Sequence, residues 1–147
     1  MAGVLFVILL FIDQAVKFLV EATMLPGESI PLIEGVFHIT YVLNPGAAFG
    51  IFPHQSWFFI LAGTAMVAVF CRYYAWLKRQ CGFFHYGCVA LLAGAVGNLI
   101  DRIRSGLVVD YFDFRVWPVF NIADVAIVLG VASMIYAILY KIKDTDE

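Results

Sequence analysis

Charge is what this sequence has least of. Asp, Glu, Lys and Arg make up 14% of its 147 residues, 63% are apolar, and the mean hydropathy is +0.93. Soluble domains run near about 45–50% apolar and about 25% charged, so a soluble globular chain is excluded, and a single membrane-embedded domain over residues 1–147 is expected. Nine Lys plus Arg stand against eleven Asp plus Glu, which leaves no basic excess for a nucleic-acid partner. Cysteine is scarce: Cys71, Cys81 and Cys88 show no C-x-x-C spacing and are expected to stay reduced and pack in the core. His38, His54 and His85 are scattered without an H-E-x-x-H, so a zinc protease is excluded. None of Ser29, Ser56, Ser105 or Ser133 sits in a G-x-S-x-G turn, which argues against a serine hydrolase. Internal repeats and low-complexity tracts are absent as well.

The gaps between charges define the organisation. Glu34 and Arg72 are separated by 37 uncharged residues, Arg79 and Asp101 by 21, and Asp124 and Lys141 by 16. A transmembrane helix needs about 20 mainly apolar residues, and four segments qualify, roughly 3–20, 57–77, 83–100 and 122–140. Their apolar runs are continuous and lack the alternation of a barrel strand, so the fold expected is an all-α bundle of four transmembrane helices. The first segment has no basic n-region or small-x-small site and carries Asp13, Gln14 and Lys17, which marks it as an uncleaved span. Arg72, Lys78 and Arg79 join the second and third spans, and Lys141 and Lys143 follow the fourth, so those ends and both termini are expected in the cytoplasm.

The connection from about Glu21 to Ser56 holds four of the five prolines and no Lys or Arg. A loop of this length is usually functional or has structure of its own. The β-branched and aromatic residues of Ile30 to Val42 suggest a small extracytoplasmic sheet at the membrane surface.

Seven of the twenty charges fall within residues 101–124, at the outer end of the third and fourth spans. At 100° per residue, Gly94, Asn98, Asp101 and Arg102 share one sector of a helix, and Asn121 and Asp124 share a face of the next. Ala90, Gly94 and Gly97 lie close by and permit close helix packing. Two readings are open at this level. Asn121 with Asp124 three residues on can be a helix cap, with Arg102 and Arg104 suiting a helix C-terminus. Alternatively Asp110 and Asp124, held close together, share a proton and activate water as an aspartic protease does, with Arg102, Asn98 and Asn121 holding substrate or orienting the carboxylates. Asp13, Lys17 and Glu21 form a stripe on the first span, expected to contain an internal ion pair. Asp101 and Asp113 are expected to be structural or solvated.

Five motifs occur in order: Asp13-Gln14 with Lys17, N-P-G-A-A-F-G from Asn44, G-N-L-I-D-R from Gly97, G-L-V-V-D-Y from Gly106 and F-N-I-A-D from Phe120. Together they closely resemble the lipoprotein signal peptidase (signal peptidase II) family. The resemblance implies a bacterial inner-membrane aspartyl endopeptidase that removes signal peptides from prolipoproteins, cutting before a diacylglyceryl-modified cysteine. It selects Asp110 and Asp124 as the catalytic pair and places Asn44, Asn98, Arg102 and Asn121 around substrate or the inhibitor globomycin. Asp13 and Lys17 match a supporting polar pair, and a mobile flap is implied near Pro45 to His54. It further implies a site near the extracytoplasmic surface, a lipid-embedded monomer, and chemistry with no metal or organic cofactor. The competing class is a small proton-coupled transporter, which would want its key carboxylate near the bilayer midplane.

Overall fold

The computed structural model describes residues 1–46 and 55–141. Four long helices, α1 (Ala2–Thr23), α2 (Ser56–Leu77), α3 (Gly82–Ser105) and α4 (Ile122–Tyr140), are accompanied by strands β1 (Ser29–Ile33), β2 (Phe37–Asn44) and β3 (Val108–Asp113). All four helices are long and apolar enough to cross a membrane. The expected spans are thus present, with α3 extending to Ser105 instead of ending at residue 100. Asp101, Arg102 and Arg104 lie inside its last turns because their partners there offset the cost of placing charge on a spanning helix.

Helix α3 is the hub. It packs most extensively on α4, then on α1 and α2. Helix α2 buries only Leu77 and exposes Trp57, Leu61, Val69 and Trp76 outward, as expected of a helix facing acyl chains. This corrects the expectation for the cysteines: Cys88 is buried on α3, but Cys71 on α2 is exposed and Cys81 is only partly covered.

The α3–α4 contact is made backbone to backbone. A Cβ added at Gly94 would lie 2.2 Å from the Ala123 carbonyl oxygen, and one at Gly130 would lie 2.6 Å from that of Gly87. Without a hydrophobic driving force between helices in lipid, such close approach supplies the dispersion contacts that hold them together. At Gly97 a Cβ would meet Asp13 Oδ2 at 2.5 Å, so this glycine leaves room for a buried carboxylate from α1.

The sheet is antiparallel in the order β1-β2-β3. Strands β1 and β2 come from the proline-rich connection, as expected. Strand β3 was not expected: Val108 to Tyr111 are all buried, so the polar/apolar alternation that marks a half-exposed strand is missing. Gly106, at φ +79°, ends α3 in the left-handed region and donates its N–H to the Arg102 carbonyl, turning the chain into β3. Tyr41, Val109 and Tyr111 of the sheet pack with Val20 of α1 and with Met24, which caps that helix, anchoring β3 over the bundle end. The expected flap at Pro45 to His54 falls mostly outside the described residues.

Gly94→Ala is expected to lower the melting temperature in detergent by an amount corresponding to about 1–3 kcal/mol, since no rotamer can move a Cβ away from a carbonyl oxygen. An unchanged melting temperature would show that α3 and α4 are not in backbone contact there.

Candidate active site

The N-terminus of α4 organises the polar residues. Its first N–H groups have no helical partner and must be satisfied otherwise. Asn121 is the N-cap. Its Oδ1 accepts from the Asp124 N–H at 2.9 Å, and Asp124 Oδ2 accepts from the Asn121 N–H at 3.2 Å, a reciprocal capping box. Tyr111 Oη accepts from the Ile122 N–H at 3.2 Å, and Asp13 Oδ1 accepts from the Ala123 N–H at 2.9 Å. The helix end is fully saturated, so the Asp124 carboxylate is held in one orientation. The capping reading of Asn121 and Asp124 therefore stands as a geometric fact, and it leaves Asp124 Oδ1 turned toward α3.

That oxygen accepts from Asn98 Nδ2 at 2.8 Å. Asp110 approaches from β3, where Val42 and Asp110 are register partners, and its two oxygens accept from Asn121 Nδ2 at 2.7 Å and Asn44 Nδ2 at 2.9 Å. Asn121 Nδ2 also reaches Asn98 Oδ1 at 3.0 Å and the Val109 carbonyl at 3.2 Å. The two carboxylates expected to pair are thus joined through two amides, Asp110 to Asn121 to Asn98 to Asp124. Asp110 is 2% exposed.

The supporting pair of α1 lies beneath. Lys17 Nζ donates to Asp13 Oδ2 at 3.0 Å, Asp101 Oδ2 at 2.8 Å and Asn98 Oδ1 at 2.9 Å. Lys17, Asp13 and Asp101 are each 1% exposed. The internal ion pair expected on the first span is present and extends to Asp101, which has a structural role. Glu21, the third member of that stripe, instead pairs with Arg104. Arg102 sits at the rim, where its guanidinium donates to the Gly46 carbonyl at 2.9 Å and lies 4.6 Å above the Phe59 ring. Asp113 turns away from the pair, accepting from Thr40 Oγ1 and from the backbone and guanidinium of Arg115.

Three participants escape sequence reasoning as site residues. Gln14 Nε2 donates to Asp13, Asp101 and the Gly97 carbonyl. An amide inside an apolar span was the available signal. Tyr111 caps α4, and Phe59 stacks on Arg102; nothing local separates either from the chain's many other aromatics.

The two carboxylates outside the spanning segments that have a shifted pKa are moved in opposite directions. Burial and the neighbouring Asp124 charge push Asp110 up to about 7, against hydrogen bonds from Asn44 and Asn121 and the Lys17 charge. At Asp113 burial also acts upward, but the hydrogen bonds from Thr40 and Arg115 outweigh it and the carboxyl falls below the ordinary range. A carboxyl that keeps a proton near neutrality beside an anchored carboxylate can supply an acid and a base to one water and one carbonyl.

The chain is similar to known proteins over most of its length. The family model for signal peptidase (SPase) II matches residues 5–140. A lipoprotein signal peptidase of Halothermothrix orenii is 48% identical over 135 residues, covering 92% of each chain. One from Clostridioides difficile is 44% identical over 147 residues, covering 97% of this chain and 99% of the relative. A solved bacterial membrane enzyme superposes with a TM-score of 0.89 at 30% identity, covering 99% of this chain and 92% of the other.

The raised Asp110 has a consequence for stability. Its folded pKa of about 7 lies above the ordinary 3.8 of an unfolded aspartate, so the folded state binds the proton more tightly. That contribution is complete below about pH 4 and is lost as pH rises through about 7. The melting temperature in detergent is expected to fall between pH 5 and 8, with a shallower slope in Asp110→Asn. Equal slopes would exclude Asp110 as the titrating group.

Proposed function

The chain belongs to the signal peptidase II family and is an aspartic peptidase that removes signal peptides from prolipoproteins; we propose that Asp110 and Asp124 are its catalytic pair. The observation that carries this reading is the two-amide bridge. It links Asp124, held by its capping box, to the buried Asp110 through the side chains of Asn98 and Asn121. The pair works with one shared proton, carried by Asp110, while both Asp124 oxygens accept N–H donors. Asp124 takes a proton from water as the water oxygen attacks the scissile carbonyl carbon, and Asp110 gives its proton to the carbonyl oxygen. The tetrahedral diol collapses as a proton passes to the amide nitrogen, the C–N bond breaks, and a carboxyl and an amine leave. Asn44 steadies Asp110, while Arg102, fixed over Phe59, offers its guanidinium to substrate carbonyls at the rim.

The substrate bond lies before a diacylglyceryl-modified cysteine in the outer leaflet of the bacterial inner membrane. The dyad stands at the end of α3 opposite the α2–α3 connection with Lys78 and Arg79, which supports cytoplasmic termini and an extracytoplasmic site and sheet. A rim site lets the lipid stay in the bilayer while the peptide bond meets water. The chain works as a single lipid-embedded domain and as a monomer, and globomycin occupies the same rim. The transporter alternative has no support in the family likeness.

Cleavage of a lipid-modified prolipoprotein by the purified protein tests this reading. Asp110→Asn and Asp124→Asn are each expected to lower kcat by roughly 100-fold or more while the protein stays folded. Near-native turnover by either variant would remove that aspartate from the pair. Cleavage is also expected to persist in EDTA and to stop with globomycin; loss in EDTA would require a metal-dependent step.

A further inference from the structure

The buried ammonium of α1 touches neither aspartate of the proposed pair, yet its third N–H ends on Asn98 Oδ1. An ammonium only donates, and three N–H groups meet three acceptors: Asp13, Asp101 and Asn98. Asn98 must therefore turn its oxygen toward α1, and its Nδ2 then points at Asp124 Oδ1. The other donor to the same oxygen, Asn121 Nδ2, has two hydrogens for three acceptors: Asn98 Oδ1, the Val109 carbonyl and Asp110 Oδ1. Its hold on Asn98 is divided, whereas that of Lys17 is undivided and charge-assisted.

We propose that Lys17 is a positioning residue that sets the direction of the Asn98 amide, so that Asp124 always receives an N–H and stays the base of the pair. Without the ammonium, Asn98 can turn its oxygen to Asp124, an arrangement satisfied only if Asp124 takes the proton, which reverses the roles of the two aspartates. The inference rests on the reading of Asp110 and Asp124 as the catalytic pair. The charged groups around the network are Asp13 on Lys17's own helix, Asp101, Arg102 and the farther Arg104 on α3, Asp110 on β3 and Asp124 on α4. Burial and Asp124 raise Asp110, and Lys17 opposes them, so losing the cation moves the loss of the shared proton to higher pH.

Lys17→Met alone strands Asp13 and Asp101 in the bundle and can fail by unfolding. The test therefore compares Lys17→Met/Asp101→Asn, which removes one charge of each sign, with Asp101→Asn, using lipid-modified prolipoprotein as substrate. Relative to Asp101→Asn, the double variant is expected to lose roughly 100-fold in kcat with KM little changed. The alkaline limb of its pH–activity profile is expected to rise by about one unit. Lys17→Arg keeps a donating cation and is expected to retain the wild-type limb. A double variant matching Asp101→Asn in kcat and limb, a change confined to KM, or a shifted limb in Lys17→Arg would each overturn the inference. If Asp110→Asn and Asp124→Asn are inactive while the double variant matches its reference, only the role of Lys17 falls. If either Asn variant turns over normally, the catalytic pair itself is wrong.

Discussion

The ammonium of Lys17, enclosed by Asp13, Asp101 and Asn98 inside a bundle of apolar helices, is the interaction on which the polar end of this protein depends. A charge in hydrocarbon is tolerated only when it is paired and hydrogen-bonded, and here every N–H of the ammonium has an acceptor. Two of those acceptors sit on α3, and Asp13 reaches across to the N-terminus of α4, so one cation ties three helices at the same depth. Gly97 makes the arrangement possible, since any side chain there would collide with the Asp13 carboxylate.

From that knot the geometry proceeds outward by elimination of unsatisfied groups. The open N–H groups of α4 are met by Asn121, Asp124, Asp13 and Tyr111, and the same bonds hold Asp124 still. The helix cap and the proposed catalytic carboxylate are therefore one arrangement. The helix terminus gives the carboxylate its orientation, and the second carboxylate arrives on a strand anchored by Tyr111 and Val109. Keeping Asp110 buried near Asp124 works against stability at neutral pH, a cost that enzymes accept where acid and base must coexist.

Much of this was legible residue by residue. Low charge and continuous apolar runs identify spanning helices because lipid forbids unsatisfied backbone and tolerates few ions. The ordered motifs around Asp13, Asn44, Asn98, Asp110 and Asp124 pointed to the family. The pairing of Asp13 with Lys17 followed from i, i+4 spacing on a helix. Strand β3 was not legible, because burial on both faces erases the alternation that marks a strand, and Cys71 was misplaced because an apolar helix does not announce which side faces lipid. Gln14 and Phe59 also escaped: an amide and a ring acquire their roles only from what stands opposite them.

What the sequence determined alone is the set of groups available: four spans, their few charges, and the glycines that permit contact. These are local properties, set by the transfer cost of each side chain and by helical periodicity. Tertiary structure alone decided which groups meet. Asn98 and Asn121 are 23 positions apart in the chain, and Lys17 is far from both, yet donor and acceptor counting at their meeting point fixes the direction of each amide. Direction of that kind belongs to no residue by itself, because a hydrogen bond is a property of the pair.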